Sequence, residues 1–168
     1  RWRKPARRAA LALRFDTHDL VCFSPRLIEL NRTSRIRRHP VLTALGPDLL
    51  AERFDENEAL RRLRSCNRLP IGEALMAQQL VAGIGNVYKS EILFMNRIDP
   101  FNPVSDLDDE TLRGCLRSAR RYLRRNIEGL RRKFRGSTHG DRLWAYRRED
   151  MPCLECSTPI RMRRQGET

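Results

Sequence analysis

The four residues Gly83-Ile84-Gly85-Asn86 have the types and spacing of a turn that binds an anion. Glycine adopts positive φ without strain and lets a ligand approach the backbone closely, and the two glycines are separated by one residue. We expect Asn86 to be the N-cap of the helix that follows, whose first free amides would attract a phosphate. Short glycine patterns recur in many proteins, so a helix connection with no ligand stays open as the alternative.

The pair Cys153 and Cys156 could also do chemistry. Cys-x-x-Cys places two thiolates on one tight turn, which suits tetrahedral zinc. A redox-active pair is the competing interpretation, but no βαβ pattern surrounds these cysteines. A structural zinc ion needs four ligands, and no second Cys or His pair follows before Thr168, so we expect the other ligands beyond it. The remaining cysteines are interpreted as ordinary thiols on apolar segments: Cys22, Cys66 and Cys115.

Short apolar runs near the start of the chain predict β-strands. Residues 9–15 and 20–23 are apolar runs, and the segment between them, 16–19, has the residue types of a turn. A third run over 27–30 is expected to extend the sheet. Because two or three strands are marginally stable alone, we interpret residues 1–31 as the closing strands of a β-domain whose other strands lie outside this sequence.

Helix signals dominate after a basic, irregular segment over 32–47, which we interpret as a linker. Asp55 followed by Glu58 predicts a capped helix start, because each side chain can bond a free amide at that end. Pro70 predicts the start of a second helix, which leads into the glycine turn. Asp108 is the expected N-cap of a longer helix, in which apolar residues recur every three to four positions.

An excess of arginine indicates a polyanionic partner. The chain has 34 basic and 21 acidic residues, a formal charge of +13, and all but three of the basic residues are arginine. The planar guanidinium fork suits phosphate. Several arginines follow Asp108 along its predicted helix, and either a solvated face or a nucleic-acid contact would explain them: Arg113, Arg117, Arg120, Arg121, Arg124 and Arg125.

Other features of the sequence argue against a membrane or secreted protein. No apolar run approaches the roughly 20 residues that span a bilayer, and no signal peptide is visible. Five cysteines, an odd number, do not form the framework of a secreted disulfide scaffold. These features predict a cytoplasmic protein, and we also expect a monomer.

Three motifs together resemble the formamidopyrimidine-DNA glycosylase and endonuclease VIII family. Residues 75–94, which contain the glycine turn, look like the helix-two-turns-helix signature of that family. Residues 143–160 are similar to its entry into a zinc finger. Arg1-Trp2-Arg3 and Val21-Cys22-Phe23 resemble the last strands of its N-terminal β-sandwich. The order and separation of these motifs make the resemblance far more specific than any one of them.

The resemblance implies an α+β fold, mainly α in this chain, in four parts. They are sandwich strands over 1–31, a linker over 32–47, a helix-two-turns-helix domain over 48–135, and a loop with an incomplete zinc finger over 136–168. It further implies a bifunctional repair enzyme that flips an oxidised base out of DNA, removes it and nicks the strand by β,δ-elimination.

The catalytic residues of the family have no match in this sequence. In the family an N-terminal proline amine forms a Schiff base with the sugar, and the glutamate after it carries protons. Positions 1 and 2 are Arg1 and Trp2. The sandwich lysine and the finger arginine that take part in elimination also fall outside the chain. No residue here is therefore assigned to catalysis, and we interpret the chain as the middle of a longer protein.

The resemblance assigns DNA and zinc contacts residue by residue. Asn86, with the backbone at Gly83 and Gly85, matches the position that holds phosphates flanking the lesion. Arg148 matches an arginine ahead of the finger that supports the same contacts, and Lys89 would contribute charge only. Cys153 and Cys156 match the first ligand pair of one structural zinc ion. Two other classes stay open: a ribosomal RNA-binding protein with a similar turn, and a non-catalytic zinc-ribbon module that binds DNA.

Overall fold

The computed structural model describes residues 4–25, 27–127, 132–136 and 142–166. The chain divides into two compact units, residues 1–42 and 43–168. Within the described residues, two strands and six α-helices give the α+β class that the sequence predicts. The strands are β1 (Ala9–Arg14) and β2 (Asp19–Phe23). The helices are α1 (Thr33–Ile36), α2 (Pro40–Thr43), α3 (Glu56–Ser65), α4 (Ile71–Met76), α5 (Asn86–Met95) and α6 (Asp109–Arg125).

The first unit contains the predicted hairpin. β1 and β2 pair antiparallel, with Leu13 opposite Leu20, and the amide of Phe15 donates to the carbonyl of His18 across the turn. The prediction of a third strand over 27–30 is wrong, since no residue of that segment pairs with the sheet. Strand propensity alone cannot hold a segment that has no partner for its backbone groups.

The segment predicted as an irregular linker contains the short helices α1 and α2. Its histidine, His39, bonds through Nε2 to the Glu29 carboxylate at 2.5 Å. That bond, with a weaker one from Asn31, lowers the pKa of Glu29. The segment is therefore tied to the chain that precedes it by a side-chain contact.

The predicted caps at the starts of α3 and α6 are confirmed. The Asp55 carboxylate accepts the amide of Glu58 at 2.9 Å, and Asp108 accepts the amide of Thr111 at 2.7 Å. The second half of the predicted capping box at Asp55 is absent, because the Glu58 carboxylate bonds the guanidinium groups of the two arginines that follow it on α3.

The core of the second unit lies between α3, α4, α5 and α6. Each of these helices contributes fully buried aliphatic side chains: Leu63, Ile71, Leu75, Ile92, Leu112 and Leu116. Burying such a side chain stabilises the folded state by roughly 1.5–3 kcal/mol. These side chains together are therefore sufficient to hold the turn between α4 and α5 in place. Within the described part of the chain, no helix is long and apolar enough to cross a membrane.

Candidate nucleic-acid interface

Gln78 fixes the shape of the turn between α4 and α5. Its Nε2 donates to the carbonyls of Met76 at 3.1 Å and Ile84 at 2.8 Å. Its Oε1 accepts the amide of Gly83 at 3.0 Å. One carboxamide thus satisfies backbone groups on both sides of the turn. This role of Gln78 is not among the predictions from the sequence, although an amide side chain can donate and accept at once.

The two glycines serve the turn in different ways. Gly83 has φ +113°, a conformation that other residues adopt only with strain, as predicted. Gly85 has φ −117° and ψ 177°, so the prediction of positive φ at this glycine is wrong. A Cβ built on Gly85 meets no atom within 4 Å. Neither the backbone nor the packing requires glycine at position 85, and its missing side chain leaves open space at the surface.

The prediction that Asn86 caps α5 is also wrong. Gly85 is the N-cap and Asn86 is the first helical residue, with no side-chain capping bond. A capping side chain must come from the extended residue before the helix, and that residue is Gly85. The Asn86 carboxamide is therefore exposed, and it has no hydrogen-bond partner among the residues that the structure describes.

The amino end of α5 presents unpaired backbone donors beside that carboxamide. The first amide to find an acceptor is that of Lys89, which donates to the carbonyl of Gly85 at 2.9 Å. Within the described ranges the amides of Asn86, Val87 and Tyr88 have no acceptor. Free amides at a helix start, together with the helix dipole, favour an anion there.

An open cleft of about 380 Å³ borders this helix end. Its lining includes Gly83, Gly85, Asn86, Asn126 and Arg132, together with apolar side chains. The lining of the cleft therefore combines backbone donors, two carboxamides and a guanidinium with apolar side chains. Backbone amides, polar side chains and helix N-termini are the groups that bind the phosphate oxygens of a nucleic-acid backbone.

Arg132 is placed at the cleft by its neighbours in the chain. The Asn126 carboxamide accepts the amide of Lys133 at 2.9 Å and donates to its carbonyl at 3.3 Å. Phe134 is buried, with its ring centroid 5.0 Å from those of both Tyr88 and Tyr122. The sequence does not predict Arg132 as a site residue, because nothing local distinguishes it from the other arginines.

Lys89 lies in a different environment from Asn86. Its side chain is half-buried, and Nζ lies 3.4 Å from Oε1 of Gln165. Burial lowers the pKa of Lys89, an effect that the charge of Glu73 partly offsets. Lys89 is not among the residues that line the cleft. Its contribution to DNA binding stays a prediction.

Arg148 is 5 % exposed and supports a turn. Its Nη2 donates to the carbonyl of Pro152 at 2.9 Å. It borders a second open cavity of about 380 Å³, shared with Tyr146, Arg147 and Arg132. Arg132 thus lines both cavities, while Arg147 is the exposed neighbour of Arg148. The predicted DNA contact of Arg148 stays a prediction.

The cysteine pair lies on a tight knuckle. The amide of Cys153 donates to the carbonyl of Thr158 at 2.8 Å, and the amide of Ser157, at φ +61°, donates to the carbonyl of Cys153 at 2.9 Å. A hydrogen bond with Thr158 lowers the pKa of Cys156. In the parts of the chain that are described, no group of three or more metal-binding side chains occurs. The thiolates of Cys153 and Cys156 are a donor type that zinc takes.

The basic face of α6 is largely occupied within the protein. Four of its arginines bond other parts of the chain: Arg113, Arg117, Arg120 and Arg124. The first two bind the Glu56 carboxylate, and the other two donate to backbone carbonyls over 49–52. These four residues are therefore structural. A solvated or nucleic-acid-binding role remains open for Arg121 and Arg125.

Comparison with protein families gives a match over the part of the chain that forms the cleft. Residues 45–135 match the family model described as the formamidopyrimidine-DNA glycosylase H2TH domain. The range contains α3 to α6 and the turn with Gly83 and Gly85.

Curated relatives extend the similarity to nearly the whole chain. A probable endonuclease 8 2 of Streptomyces coelicolor is 34% identical over 163 residues, which is 97% of this chain and 58% of the relative. Endonuclease 8 2 of Mycobacterium tuberculosis is 39% identical over 79% of this chain and 53% of its own length. The chain thus spans little more than half the length of these relatives.

Solved structures share the fold. The crystal structure of the MutM (Fpg) protein from Thermus thermophilus has a TM-score of 0.73 and 31% identity, covering 95% of this chain and 65% of that protein. A Lactococcus lactis Fpg in complex with DNA that contains an abasic site has a TM-score of 0.64 and 26% identity, covering 77% of this chain and 50% of that one.

Proposed function

The chain belongs to the formamidopyrimidine-DNA glycosylase and endonuclease VIII family, and on that basis we propose that it is the DNA-binding part of a base-excision repair enzyme. One observation carries the proposal. The start of α5 offers three backbone amides without acceptors among the described residues, an exposed Asn86 carboxamide and the open space at Gly85. All of these suit a phosphate oxygen.

The ligand of this cleft is the DNA backbone beside a damaged nucleotide. Phosphates carry no sequence information, so the contact at Asn86 positions the protein and does not select a base. The formal charge of +13 strengthens attachment through release of counterions from DNA. Arg132 supplies positive charge at the cleft, Arg148 holds the turn before the cysteine knuckle, and Lys89 adds charge from α5.

The whole protein then removes an oxidised base and nicks the strand. In the family that the chain resembles, the nucleophile is the amine of an N-terminal proline, which forms a Schiff base with the sugar after the base is flipped out. The residues of this chain contribute binding, orientation and bending of the duplex to that reaction. The protein acts as a monomer in the cytoplasm.

Zinc is the metal that the cysteine knuckle suits. Cys153 and Cys156 are two of the four ligands, and a second pair from outside the described residues completes a structural site. Bound zinc would fix the conformation of the finger. Elemental analysis of the intact protein should give one zinc per molecule, and Cys153→Ser should lower that content. A preparation made without chelators that contains no zinc would contradict this assignment.

Binding to an abasic-analogue duplex tests the proposal. Fluorescence anisotropy should show that Asn86→Ala weakens binding by about 1.5–3 kcal/mol, the range for a hydrogen bond to a charged group. Asn67→Ala is the matched control, because Asn67 is exposed, lies outside the cleft and has no side-chain bond within the described residues. Equal affinity of both variants and the wild type would reject the cleft as a DNA site.

Borohydride trapping on abasic DNA tests the chemistry separately. The intact protein should form a covalent adduct, since reduction fixes the Schiff base. Tight DNA binding without an adduct would instead identify a non-catalytic DNA-binding protein.

A further inference from the structure

Glu91 is a fully buried carboxylate on α5 that none of the assigned roles uses. Its Oε2 accepts the amide of Trp144 at 2.7 Å. Its Oε1 accepts the amides of Ala145 and Tyr146 at 2.9 and 2.8 Å. Among the described residues, no cationic side chain forms an ion pair with it. Three successive backbone amides are therefore its partners.

This arrangement is unfavourable unless the three bonds are kept. Moving a carboxylate out of water costs several kcal/mol, which only well-formed, charge-assisted hydrogen bonds offset. An aliphatic side chain could fill the same space without that cost, but it could not orient a segment of backbone. A buried carboxylate that holds three amides fixes both the position and the direction of residues 144–146. Stacking of Trp144 on Phe94, with ring centroids 5.6 Å apart, adds a second attachment to α5.

Glu91 connects two separate parts of the candidate interface. On α5 it follows Asn86 by five residues, roughly 7.5 Å along the helix axis. The segment that it holds continues directly into Arg147, which is exposed, and Arg148, which borders the second cavity. The anion-binding helix end and the basic segment before the cysteine knuckle are thus joined through Glu91, with the Phe94–Trp144 stack beside it.

We propose that Glu91 is a positioning residue for DNA binding, which sets the distance between the phosphate site at Asn86 and the basic segment at 147–148. With that distance fixed, a duplex that meets one site is placed for the other, and the two contacts reinforce each other. This inference rests on the proposed function, because it assumes that DNA occupies both places.

Glu91→Gln is the informative change because it keeps the shape of the side chain. Its single oxygen can still accept the amides of Ala145 and Tyr146, but its NH₂ group then faces the amide of Trp144, donor against donor. The segment should loosen while the core of the unit remains. Fluorescence of Trp144 reports this directly, since the only other tryptophan of the chain is Trp2.

A double-mutant cycle separates positioning from general stability. The variants Asn86→Ala and Arg147→Ala are measured alone and together, in the wild-type and the Glu91→Gln backgrounds, for affinity to an abasic-analogue duplex. In the wild type the two losses should be coupled by at least about fivefold. In the Glu91→Gln background the losses should simply multiply, and Glu91→Gln itself should raise Kd by about tenfold.

Glu56→Gln is the matched control. Glu56 is also a carboxylate that joins two parts of the second unit, since it binds Arg113 and Arg117 of α6. It does not contact residues 144–146, so its loss should lower the melting temperature and leave both Kd and the coupling unchanged. All affinities are measured at temperatures well below each variant's melting point. If Glu91→Gln does not fold, Phe94→Leu loosens the same attachment without adding a buried polar group.

The outcomes distinguish this inference from the proposed function. Glu91→Gln protein with the affinity and the coupling of the wild type would overturn the positioning role alone. A loss of affinity that Glu56→Gln reproduces at equal stability would overturn it as well. Failure of the wild-type protein to bind the duplex would overturn the proposed function, and the positioning role with it.

Discussion

Alanine in place of each glycine of the turn should separate folding from binding. Gly83 has φ +113°, so Gly83→Ala strains the backbone and should lower the free energy of unfolding by about 1–3 kcal/mol. Gly85 has φ −117°, and an added Cβ meets no atom within 4 Å. Alanine is a poorer N-cap than glycine, by up to about 1 kcal/mol. Alanine also lowers the entropy of the unfolded chain, which stabilises the folded state by about 0.4–1 kcal/mol. Gly85→Ala should therefore leave stability within about 1 kcal/mol of the wild type.

DNA binding should respond to Gly85→Ala far more than stability does. The new methyl group occupies the open space at the start of α5, where a phosphate must approach to reach the free amides. We expect a loss of at least about tenfold in affinity, equivalent to 1.4 kcal/mol. Denaturant unfolding gives the stability, and anisotropy with an abasic-analogue duplex gives Kd. A Gly85→Ala protein that is as stable as the wild type and binds DNA equally well would refute the idea that this space is kept for a phosphate.

Further predictions concern groups outside the turn. Burial raises the pKa of Cys115 to about 12, so this thiol should resist alkylation at pH 8 until the protein unfolds, as followed by mass spectrometry. Hydrogen bonds from Arg61, then Arg62, lower the pKa of Glu58 to about 2. Their stabilising effect is complete above the normal pKa of 4.5 and is lost as the pH falls towards 2, so Glu58→Gln should flatten the acid limb of the stability profile; an unchanged limb would contradict this. Arg120→Ala should cost about 1.5–3 kcal/mol of stability, because Arg120 holds two backbone carbonyls, with no change in the salt dependence of DNA binding. Arg147→Ala should instead reduce the slope of log Kd against log salt by about one. Equal slopes for the two variants would contradict the assignment of Arg147 to DNA binding and of Arg120 to a structural role.

Local signals in the sequence predicted some elements of the structure well. The sequence correctly predicts the caps Asp55 and Asp108, because a cap depends on a few neighbouring residues. The cap of α5 was predicted one residue too late, at Asn86, since the helix start is set by the extended backbone of Gly85. The segment 27–30 has the composition of a strand, but a strand exists only where another strand pairs with it.

Contacts between distant parts of the chain could not be predicted from one sequence. Glu91 accepts hydrogen bonds from amides that lie more than 50 residues after it in the chain. Arg132 reaches the cleft because Asn126 and Phe134 fix the segment around it. Such contacts depend on how helices pack, and residue types alone do not specify that packing. The resemblance to the family predicts Asn86 as a DNA contact, but it does not indicate which residues hold the two parts of the interface together.

The most direct test of the DNA site is an NMR titration of backbone amides with an abasic-analogue duplex. The amides of Asn86, Val87 and Tyr88, which have no acceptor among the described residues, should shift more than any others in α3 to α6. The shifts should saturate at the Kd found by anisotropy and be lost in Gly85→Ala. Saturation of DNA binding with these three amides unmoved would contradict the assignment of the start of α5 as the phosphate site.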